Sequence, residues 1–600
     1  MLKCIGKVIG FFRRFIMRKI VSLILAAVLL MSSAIALVSC GEPKDDGAVI
    51  NVYLGGPIYD FDPTDYYVDS NAERVMSLLF EPLFAVNEKG KLKTDAAAKK
   101  YEVDEEERTI TIELRQTYWS DGVAVTAEDF VYAWRNILLN PNVANPAAAL
   151  LYDIENAYEL ENGKVSVYEF GAVASERDLI TITYREGADV ERLLKNLASV
   201  ATAPIRQDVA TNITSGYWTK LVNTATTNGP FMIGNVDYEE NSFTLIRNQG
   251  YHQKLGLKDP TKVVNPSEIA SLMTIKNGDA SLSYSDIEKK TVFFMSDATL
   301  ADRQEYKKKA IVSDDLSTYT YVFNTTNELF AIKEVRKALS LAIDRKALAE
   351  AVTFAKAATG FLPDNILNGK KTFSPEAIIS ISADISGANA ALNGVDLSGV
   401  NKNFTLAINN DEESLAIAAL VKTAWESLDA GFKVEIKAVD YITSTIKDDN
   451  DSDIELKDSE IQVLANRAAR GDYGFDVLAV DWQMYSTDAF VALSSFATEF
   501  SGCGTELPSG EKKYVNISGY TSETYDKLIA DAYAKKDNSE RNAVLVQAEK
   551  ELVESYCVLP LLFNQNFAFV HKDVSKVEFN GFGDFIFTEV KLKHYRDYLK

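Results

Sequence analysis

Few residues in this 600-residue sequence have the types and spacing that covalent catalysis or metal binding requires. Its three histidines, His252, His571 and His594, form no HExxH motif and no cluster, which argues against a zinc or nickel site. The sequence contains no GxSxG nucleophile motif and no glycine-rich phosphate loop. Its 86 acidic residues could supply a pair of catalytic carboxylates, so a surface hydrolase remains a minor alternative. The sequence predicts a protein that is not an enzyme and that uses no metal or cofactor.

Cys40 is the cysteine whose surroundings indicate a specific chemistry. Two basic residues, Arg18 and Lys19, precede an apolar run over residues 20–38, and a small residue, Ser39, stands directly before Cys40. A charged start, an apolar middle and a small-residue exit are typical of a secretory signal peptide. The exit resembles a bacterial lipobox, so we expect cleavage after residue 39 and a lipid on Cys40. A signal anchor or membrane helix is the alternative, since the run almost reaches the roughly 20 residues that a membrane span needs.

The segments on either side of this cleavage point also have predicted roles. Met1–Ile16 is interpreted as an upstream extension from a start codon placed too early, since a start at Met17 gives a normal signal peptide of this kind. Residues 40–47 are polar and short, as a tether between a lipid and a folded body would be. Two further cysteines, Cys503 and Cys557, are too few for a disulfide framework. A disulfide between them and two buried thiols both stay open.

The charge and composition of the chain exclude other classes of protein. The chain carries 63 Lys and Arg residues against 86 Asp and Glu residues, for a net charge of −23. Nucleic acid would repel a surface of this sign, so we expect no nucleic-acid partner. A hydrophobic content of 47% is too high for an intrinsically disordered chain. We therefore expect an acidic globular body after the signal segment.

Hydrophobic periodicity indicates strands and helices that alternate along the chain. Residues 109–114 alternate strictly between apolar and polar side chains, which predicts a half-buried strand. Thr126, with Asp129 three residues later, predicts the start of a helix. Residues 333–352 carry the strongest helical stripe, and a second helix is predicted over 414–428. Such alternation predicts α/β or α+β layers.

Five blocks of the sequence resemble those of one protein family. Residues 119–134 read WSDGVAVTAEDFVYAW and are similar to the signature region of the extracytoplasmic oligopeptide-binding proteins, the solute-binding family 5 of ABC importers. The other blocks are LFEPL at 79–83, TNGPF at 227–231, YVFNT at 321–325 with VRKAL and AIDR within 335–345, and YDKLI at 525–529 before LPL at 559–561. Each block by itself indicates only scaffold. Their common order across nearly the whole chain, behind a lipobox, indicates membership of the family.

The resemblance implies an α/β fold, with α+β character in an inserted domain, of the periplasmic-binding-protein-like type II kind. Two lobes would close on a ligand by a hinge motion. The implied boundaries are 48–80, 229–320 and 565–600 for lobe I, 81–228 for the inserted domain II, and 321–564 for lobe II. The acid-rich stretch near 447–460 lacks the glycine and ligand spacing of a calcium loop. It is predicted to be a surface insertion of lobe II.

The resemblance also implies where a ligand would bind. In the family, a segment that follows Phe-Asp runs as a strand in the cleft and pairs with a peptide backbone. Here that segment is 475–485, and it includes Gln483. Trp482 would form a wall of the cleft, with a core tryptophan as the alternative. Peptide-binding members hold the α-ammonium of the ligand with an aspartate three residues after this tryptophan, and Tyr485 stands at that position.

The tyrosine at this position calls for another partner for a ligand ammonium, because a buried ammonium without a carboxylate costs several kcal/mol. Asp481 and Asp488 are nearby candidates, and Asp69 could reach the cleft from lobe I. For each of these three aspartates, the alternative interpretation is a surface acid with no role in binding. Arg470 matches a basic position of the family and could hold a ligand carboxylate through two parallel hydrogen bonds. Tyr441 matches an aromatic pocket position.

These expectations combine into one predicted function. The chain would capture an extracellular oligopeptide and deliver it to two permease subunits powered by two cytoplasmic ATPases. It would act as a monomer, anchored by lipid on the extracytoplasmic face of the cell membrane. The same fold binding another solute, such as an oligosaccharide, is the main alternative. A peptide-sensing receptor that delivers nothing to a permease is a further one.

Overall fold

The structure is a computed structural model, and it describes residues 48–597 with gaps. The residues outside it are 1–47, 57, 69, 140–145, 213–218, 221–224, 238–241, 249–250, 252–268, 275–281, 369–370, 448–452, 501–514, 588–589, 595–596 and 598–600. The predicted signal peptide, lipobox and tether lie outside the described residues, and so do Asp69, His252 and Cys503. Cys557 is buried.

The described strands and helices alternate along most of the chain. The strands are β1 Ala48–Tyr53, β2 Ala85–Val86, β3 Leu92–Lys93, β4 Ala98–Asp104, β5 Thr109–Leu114, β6 Ala172–Glu176, β7 Leu179–Thr183, β8 Phe231–Asp237, β9 Ser242–Arg247, β10 Ile269–Thr274, β11 Phe294–Met295, β12 Ile311–Phe323, β13 Ala355–Ala357, β14 Leu367–Asn368, β15 Lys371–Thr372, β16 Asn403–Asn409, β17 Lys433–Val439, β18 Tyr441–Lys447, β19 Asp453–Ser459, β20 Val477–Gln483, β21 Val558–Val570, β22 Val574–Ser575, β23 Glu578–Phe579, β24 Phe585–Ile586 and β25 Lys591–Leu592. The α-helices are α1 Ser70–Leu79, α2 Ala127–Leu139, α3 Ala157–Glu161, α4 Val190–Asn196, α5 Gln207–Asn212, α6 Tyr284–Glu288, α7 Leu300–Tyr306, α8 Glu328–Ala331, α9 Lys333–Leu341, α10 Arg345–Val352, α11 Ile385–Ala391, α12 Glu412–Glu426, α13 Glu460–Ala468, α14 Ala489–Ser494, α15 Glu523–Ala534 and α16 Asn538–Ser555. Short 3₁₀ turns cover Pro146–Leu151, Val167–Glu169, Val200–Thr202 and Lys307–Lys309. In the described part of the chain, no helix combines the length and the apolar character that crossing a membrane requires.

A long mixed sheet extends through both predicted lobes. Its strand order is β17-β16-β20-β12-β21-β11-β1-β10-β9-β8, and β13 also pairs with β21. β12 and β21 are 13 residues each and pair antiparallel, from Ile311 opposite Ala568 to Val322 opposite Val558. The strands from β11 to β8 come from predicted lobe I, and β17, β16 and β20 come from predicted lobe II. β12 and β21 therefore connect the two lobes directly.

The core of the lobe II half lies between this sheet and the helices α9, α10 and α12. Trp425 of α12 is fully buried, and its Nε1 donates a hydrogen bond to the Leu339 carbonyl of α9 at 2.9 Å. Phe404 of β16 and Phe323 of β12 pack against the same indole ring. The periodic apolar residues of these helices thus meet the buried face of the sheet, as their spacing predicts.

Residues of predicted domain II form a separate antiparallel sheet with the order β4-β5-β7-β6. Ile110, Ile112 and Leu114 of β5 are buried and alternate with half-buried residues, which confirms the strand predicted from alternation. α2 also begins where the sequence predicts. Asp129 Oδ2 accepts hydrogen bonds from the Thr126 N–H at 2.8 Å and from the Thr126 hydroxyl at 3.1 Å.

The single helix predicted over 333–352 is wrong, because the structure has two helices, α9 and α10. Asp344 ends the continuity by capping α10: its carboxylate accepts a hydrogen bond from the Ala347 N–H at 3.0 Å. Arg345 is buried and donates from Nε to the Pro560 carbonyl of β21 at 2.7 Å. The apolar stripe continues across the break, so periodicity does not reveal it.

The acid-rich stretch near 447–460 belongs to a β-hairpin. β18 and β19 pair antiparallel from Tyr441 opposite Ser459 to Lys447 opposite Asp453, and they form a two-stranded sheet of their own. Most of β18 is exposed. Periodicity gives little signal for these strands, because charged and hydroxyl side chains occupy most of their positions.

Candidate ligand-binding site

A cavity of about 330 Å³ lies between the two halves of the large sheet. Its walls come from both predicted lobes, with Tyr53, Tyr59 and Thr299 from lobe I and Asn409 and Asp440 from lobe II. Its floor is formed by residues of β12, β20 and β21. The volume falls within the range of roughly 300–1,000 Å³ that is typical of ligand pockets.

Tyr319 and Asp481 lie side by side on the floor of this cavity. They stand directly opposite each other in the pairing of β12 with β20, so their side chains leave the same face of the sheet. The Asp481 carboxylate accepts a hydrogen bond from Asn564 Nδ2 at 2.7 Å. The same amide group donates to Ser317 Oγ at 2.8 Å. The predicted candidate Asp481 is therefore part of the cavity.

The lining of the cavity is strongly acidic. Among the described residues that form it, eight carry carboxyl groups and two carry guanidinium groups. The acidic residues are Glu73, Asp297, Asp315, Asp411, Glu412, Glu413, Asp440 and Asp481, and the basic residues are Arg74 and Arg303. Arg303 contacts both Asp297 and Glu413. Across the described part of the chain, no three His, Cys, Asp or Glu side chains are grouped so that they could hold a metal ion.

Burial changes the pKa of several of these carboxyl groups. Asp411 caps the start of α12, and burial raises the pKa of its carboxyl to about 6. Burial raises the pKa of Glu73 well above its usual value, and the nearby Asp315 raises it further. Asp297 differs, because the charge of Arg303 outweighs the effect of burial and holds the pKa of Asp297 below its usual value. The pKa of each carboxyl thus reflects the balance between burial and the charges beside it.

The segment predicted to lie in the cleft, 475–485, contains β20. β20 pairs with β12 along its whole length, but its other edge pairs with β16 only at Val477 and Leu478. The Met484 N–H bonds to β12. Because main-chain groups alternate in an antiparallel ladder, the N–H and C=O of Asp481 point to the edge away from β12.

Trp482 packs in the core, which is the alternative prediction, and it is not part of the cavity wall. It is 1% exposed and leaves β20 on the face opposite Asp481. Its ring packs against Phe496, Phe361 and Tyr67, with ring centroids 4.8, 6.0 and 5.5 Å away. Because Tyr67 belongs to predicted lobe I, Trp482 takes part in a contact between the lobes.

Gln483 and Tyr485 hold the end of β20 against lobe I. The Gln483 N–H donates to the Tyr67 carbonyl at 2.8 Å, and the Tyr66 N–H donates to the Tyr485 hydroxyl at 3.0 Å. Gln483 Nε2 also donates to Glu73 Oε2 at 3.1 Å in the cavity wall. Tyr485, at the position of the family's aspartate, therefore forms a contact between the two lobes.

Asp488 lies in a buried ion-pair network and is not part of the cavity lining. Its carboxylate accepts hydrogen bonds from Arg541 Nη1 at 2.8 Å and Nη2 at 2.9 Å, and Arg192 Nε of predicted domain II is 3.8 Å away. Burial acts to raise the pKa of Asp488, but the charge of Arg541 outweighs it and the pKa is lowered. This geometry favours a structural role for Asp488 over a contact with a ligand ammonium.

The remaining predicted residues differ in their position. Arg470 is exposed just after α13 and is not among the described residues that line the cavity. Tyr441 is 42% exposed, and its ring centroid lies 5.4 Å from that of Tyr59 in the cavity wall. Asp69 lies outside the described residues. Among these three residues, the structure brings Tyr441 to the cavity.

Sequence reasoning missed several residues of the cavity. Asp411 had a detectable signal, because it stands as an N-cap candidate just before the helix predicted from 414. Tyr319 and Asn564 had none. Both lie on strands that are mostly buried, and only the packing of the lobes decides which part of such a strand meets a cleft.

Comparisons with known proteins agree with this architecture. The family model for bacterial extracellular solute-binding proteins, family 5 Middle, matches residues 91–502. The chain belongs to this family. The periplasmic murein peptide-binding protein MppA of Escherichia coli K12 is 27% identical over 498 residues, which cover 81% of this chain and 82% of MppA. The periplasmic oligopeptide-binding protein OppA of Haemophilus influenzae is 23% identical over 553 residues, which cover 90% of this chain and 92% of OppA.

Two solved structures of MppA also match this chain. One structure, of the Escherichia coli protein, matches with a TM-score of 0.71 at 21% identity and covers 92% of this chain and 99% of that chain. This likeness confirms the periplasmic-binding-protein-like type II fold. The unliganded open form of MppA also covers 92% of this chain and 99% of that chain, with a TM-score of 0.53 at 22% identity.

Asp65 of predicted lobe I makes another contact across the family 5 cleft. Its carboxylate accepts hydrogen bonds from Gln462 Nε2 at 3.2 Å and Asn466 Nδ2 at 3.4 Å, both on α13. Burial raises the pKa of Asp65 to about 8, and the neighbouring Asp62 and Asp60 add to this rise. The protonated carboxyl is therefore favoured in the folded state.

We predict that Asp65→Asn weakens the pH dependence of stability. The folded chain keeps a proton on Asp65 up to about pH 8, whereas an unfolded aspartate loses it near pH 4. The folded state binds more protons between these values, so the free energy of unfolding falls as pH rises through this window. In Asp65→Asn this part of the decline is lost, which denaturant unfolding across the pH range would measure. Exposed Asp429→Asn is the matched control and keeps the wild-type slope, and equal slopes for Asp65→Asn and wild type would contradict the assignment.

We predict that Asp488→Asn lowers stability by about 3 kcal/mol, because the buried Arg541 guanidinium loses its charged partner. The half-exposed Asp531, which pairs with Lys527 on the surface, supplies the control Asp531→Asn with a change below about 1 kcal/mol. Chemical unfolding measures both variants. Ligand affinity of the folded Asp488→Asn protein stays at the wild-type level. A tenfold loss of affinity without a loss of stability would instead make Asp488 a ligand contact.

Proposed function

We propose that this family 5 protein is the lipid-anchored receptor of an ABC importer and that it captures oligopeptides by closure of its two lobes. The observation that carries the proposal is the cavity of about 330 Å³ whose walls come from both lobes. A ligand that fills such a cavity contacts both walls at once, so its binding favours the closed arrangement. The position of the cavity at the strands that join the lobes fits this mechanism.

The relatives support a peptide as the ligand. MppA binds murein peptide and OppA binds oligopeptides, as their names state, and each match covers at least four-fifths of this chain. An extended peptide can add to the edge of a strand through main-chain hydrogen bonds, which read no side chains. The β20 edge that carries the N–H and C=O of Asp481 supplies such a position beside the cavity.

The site residues receive different roles in this proposal. Asp481, on the cavity floor, is the proposed partner of a ligand ammonium in place of the family's aspartate at position 485. Gln483 and Tyr441 belong to the cleft margin, and Arg470 remains a proposed contact for a ligand carboxylate in the open state. Trp482 and Tyr485 act on the ligand indirectly, since they pack where β20 meets lobe I.

The proposed mechanism contains no covalent step. Ligand contacts shift the equilibrium between open and closed lobes, and a permease recognises the closed form. ATP hydrolysis by the partner ATPases supplies the energy for import. The pairing of β12 with β21 crosses from one lobe to the other, so closure bends the chain at this pair.

A non-peptide solute is the second candidate function, and Tyr485 is the observation that favours it. Its hydroxyl accepts the Tyr66 N–H, and its ring packs against the Tyr66 ring with centroids 4.8 Å apart. Because residue 485 is a tyrosine that is held by lobe I, this position supplies no carboxylate for a ligand ammonium. A ligand without an ammonium group would need none.

We predict that native mass spectrometry of the body, purified from residue 41 onward, releases bound peptides. Binding proteins that close over a ligand release it slowly, so part of it should remain bound through purification. Denaturing the same sample should yield a series of masses that differ by amino-acid residues. A single non-peptide mass would overturn the peptide assignment and support the second candidate. For a sample without ligand, a peptide mixture is added and the bound masses are read again.

We predict that Cys40→Ser releases the protein from the membrane of a bacterium that processes lipoproteins. Two or three acyl chains hold a soluble body at a membrane, and without the Cys40 thiol they cannot be attached. Detergent phase partition and the mass of the mature N-terminus measure the change. Ser32→Ala, within the apolar run before the predicted cleavage point, is the control and should behave as wild type. Unchanged partition of Cys40→Ser into detergent would contradict the lipid anchor.

A further inference from the structure

We propose that the cavity selects ligands with a cationic group, an alkylammonium or a guanidinium, and that Asp481, Tyr319 and Asp411 receive this group. The inference rests on the proposed function and names the class of ligand that its site takes. It adds two residues, Tyr319 and Asp411, to the ammonium contact that the family resemblance implies, and it extends the ligand class to basic side chains.

The first argument is the charge of the cavity wall. The carboxyl groups exceed the guanidinium groups by six among the described lining residues. One of the two arginines, Arg303, is already engaged, since it contacts Asp297 at 2.7 Å and also Glu413. A cleft of one sign with low-dielectric walls focuses its field and concentrates ligands of the opposite sign.

The second argument is that Asp411 and Glu412 of this wall accept hydrogen bonds from neutral groups. Asp411 Oδ2 accepts from the Ser414 hydroxyl at 2.8 Å, and Glu412 accepts from the Leu300 N–H at 3.0 Å. Burial raises the pKa of Asp411 to about 6, and the hydrogen bonds that its carboxylate accepts from the described residues come from Ser414, while Arg303 of the same wall pairs with Asp297 and Glu413. An incoming cation would supply the missing charge.

The third argument is the hydroxyl of Tyr319, which points to a ligand independently of the acidic groups. The Tyr319 side chain is 4% exposed, and its Oη makes no hydrogen bond of ordinary length to the described residues, although Ser414 and Tyr321 lie near it. The Ser414 hydroxyl beside it donates to Asp411 instead. A buried polar atom without a partner costs about 1–3 kcal/mol, so a ligand that bonds to it restores that free energy.

The fourth argument is the position of these groups relative to one another. Tyr319 and Asp481 are neighbours on the cavity floor, and the charges of Asp411 and Asp481 both act on the Tyr319 hydroxyl. Burial raises the pKa of Tyr319 well above its usual value, so the hydroxyl stays neutral and can accept an N–H from a cation. An ammonium or guanidinium has the several N–H donors that such a set of acceptors requires.

The apolar part of the wall suits the stem of a basic side chain. Phe354 and Phe567 both line the cavity, and their rings stack with centroids 4.2 Å apart. Lysine and arginine side chains bury their methylene stems along apolar surfaces while the charged head meets polar groups. The cavity therefore offers both parts of such a side chain a matching surface.

The experiment compares the peptide Ala-Ala-Lys-Ala-Ala with a counterpart in which norleucine replaces the lysine, each with a free and an acetylated N-terminus. Isothermal titration calorimetry at low and moderate salt measures the dissociation constants. We expect every peptide with a cation that reaches the cavity to bind at least about tenfold more tightly than the doubly neutral peptide. A preference that follows the lysine assigns the pocket to a side chain, and one that follows the free N-terminus assigns it to the α-ammonium.

Two variants locate the effect. Asp481→Asn and Tyr319→Phe each keep the shape of the side chain, and each should reduce the preference for the cation. Glu435→Gln removes one carboxylate from an exposed position on β17 of the same lobe and should leave the preference unchanged. Circular dichroism and thermal unfolding confirm that each variant is folded. If Glu435→Gln and Asp481→Asn lower the preference for the cationic peptide equally, the overall charge of the protein would explain the preference, and the proposed site would be overturned.

The remaining outcomes separate this inference from the proposed function. Binding of all four peptides with equal affinity would overturn the cationic site and leave the peptide-binding function in place. If none of the peptides binds, 1,5-diaminopentane is titrated as a cation without a peptide bond. Its binding to wild type and loss in Asp481→Asn would support the cationic site while contradicting a peptide ligand. Failure of the diamine as well would overturn the inference.

Discussion

The pairing of β12 with β21 is the constraint on which the rest of the structure depends. Each strand is 13 residues long, and together they extend through both halves of the large sheet. β11 of lobe I pairs with the end of β21, while β20 of lobe II pairs with the second half of β12. The same two strands therefore fix the position of both walls of the cleft. Any change in the angle between the walls must bend this pair.

The pairing is irregular at the level of the cavity, and this irregularity explains the polar floor. The register shifts between Asp314 and Thr318, so the residues between them leave the regular ladder. Their side chains bond to one another and to β21: Ser317 donates to Asp315, and Asn566 Nδ2 donates to Asp315 at 3.1 Å. Buried polar groups are tolerated where they are hydrogen-bonded. The fold thus contains a polar surface in the middle of its longest sheet.

Charge separates the two sets of buried acids around this surface. Asp488 is held by Arg541, and Arg192 of predicted domain II lies 3.8 Å away, so the low pKa of Asp488 reflects a structural ion pair. Asp411 and Glu73 of the cavity have raised pKa values, because burial dominates there. Ionising these groups costs free energy in the absence of a positive partner. A cationic ligand in the cleft would supply such a partner and would therefore favour the ionised form of these groups.

Local patterns in the sequence determined the family, the two-lobe fold and single elements such as β5, because alternation and capping act over a few residues. They did not show the break at Asp344, since the apolar stripe continues across it. Among the candidate site residues, Asp481 and Asp488 stand seven residues apart and look equivalent as sequence. Only the tertiary structure separates them, because it places one beside Tyr319 and the other beside Arg541, which is distant in the chain. The environment of a carboxylate depends on groups that folding brings together from distant parts of the chain. The local sequence does not show which groups these are.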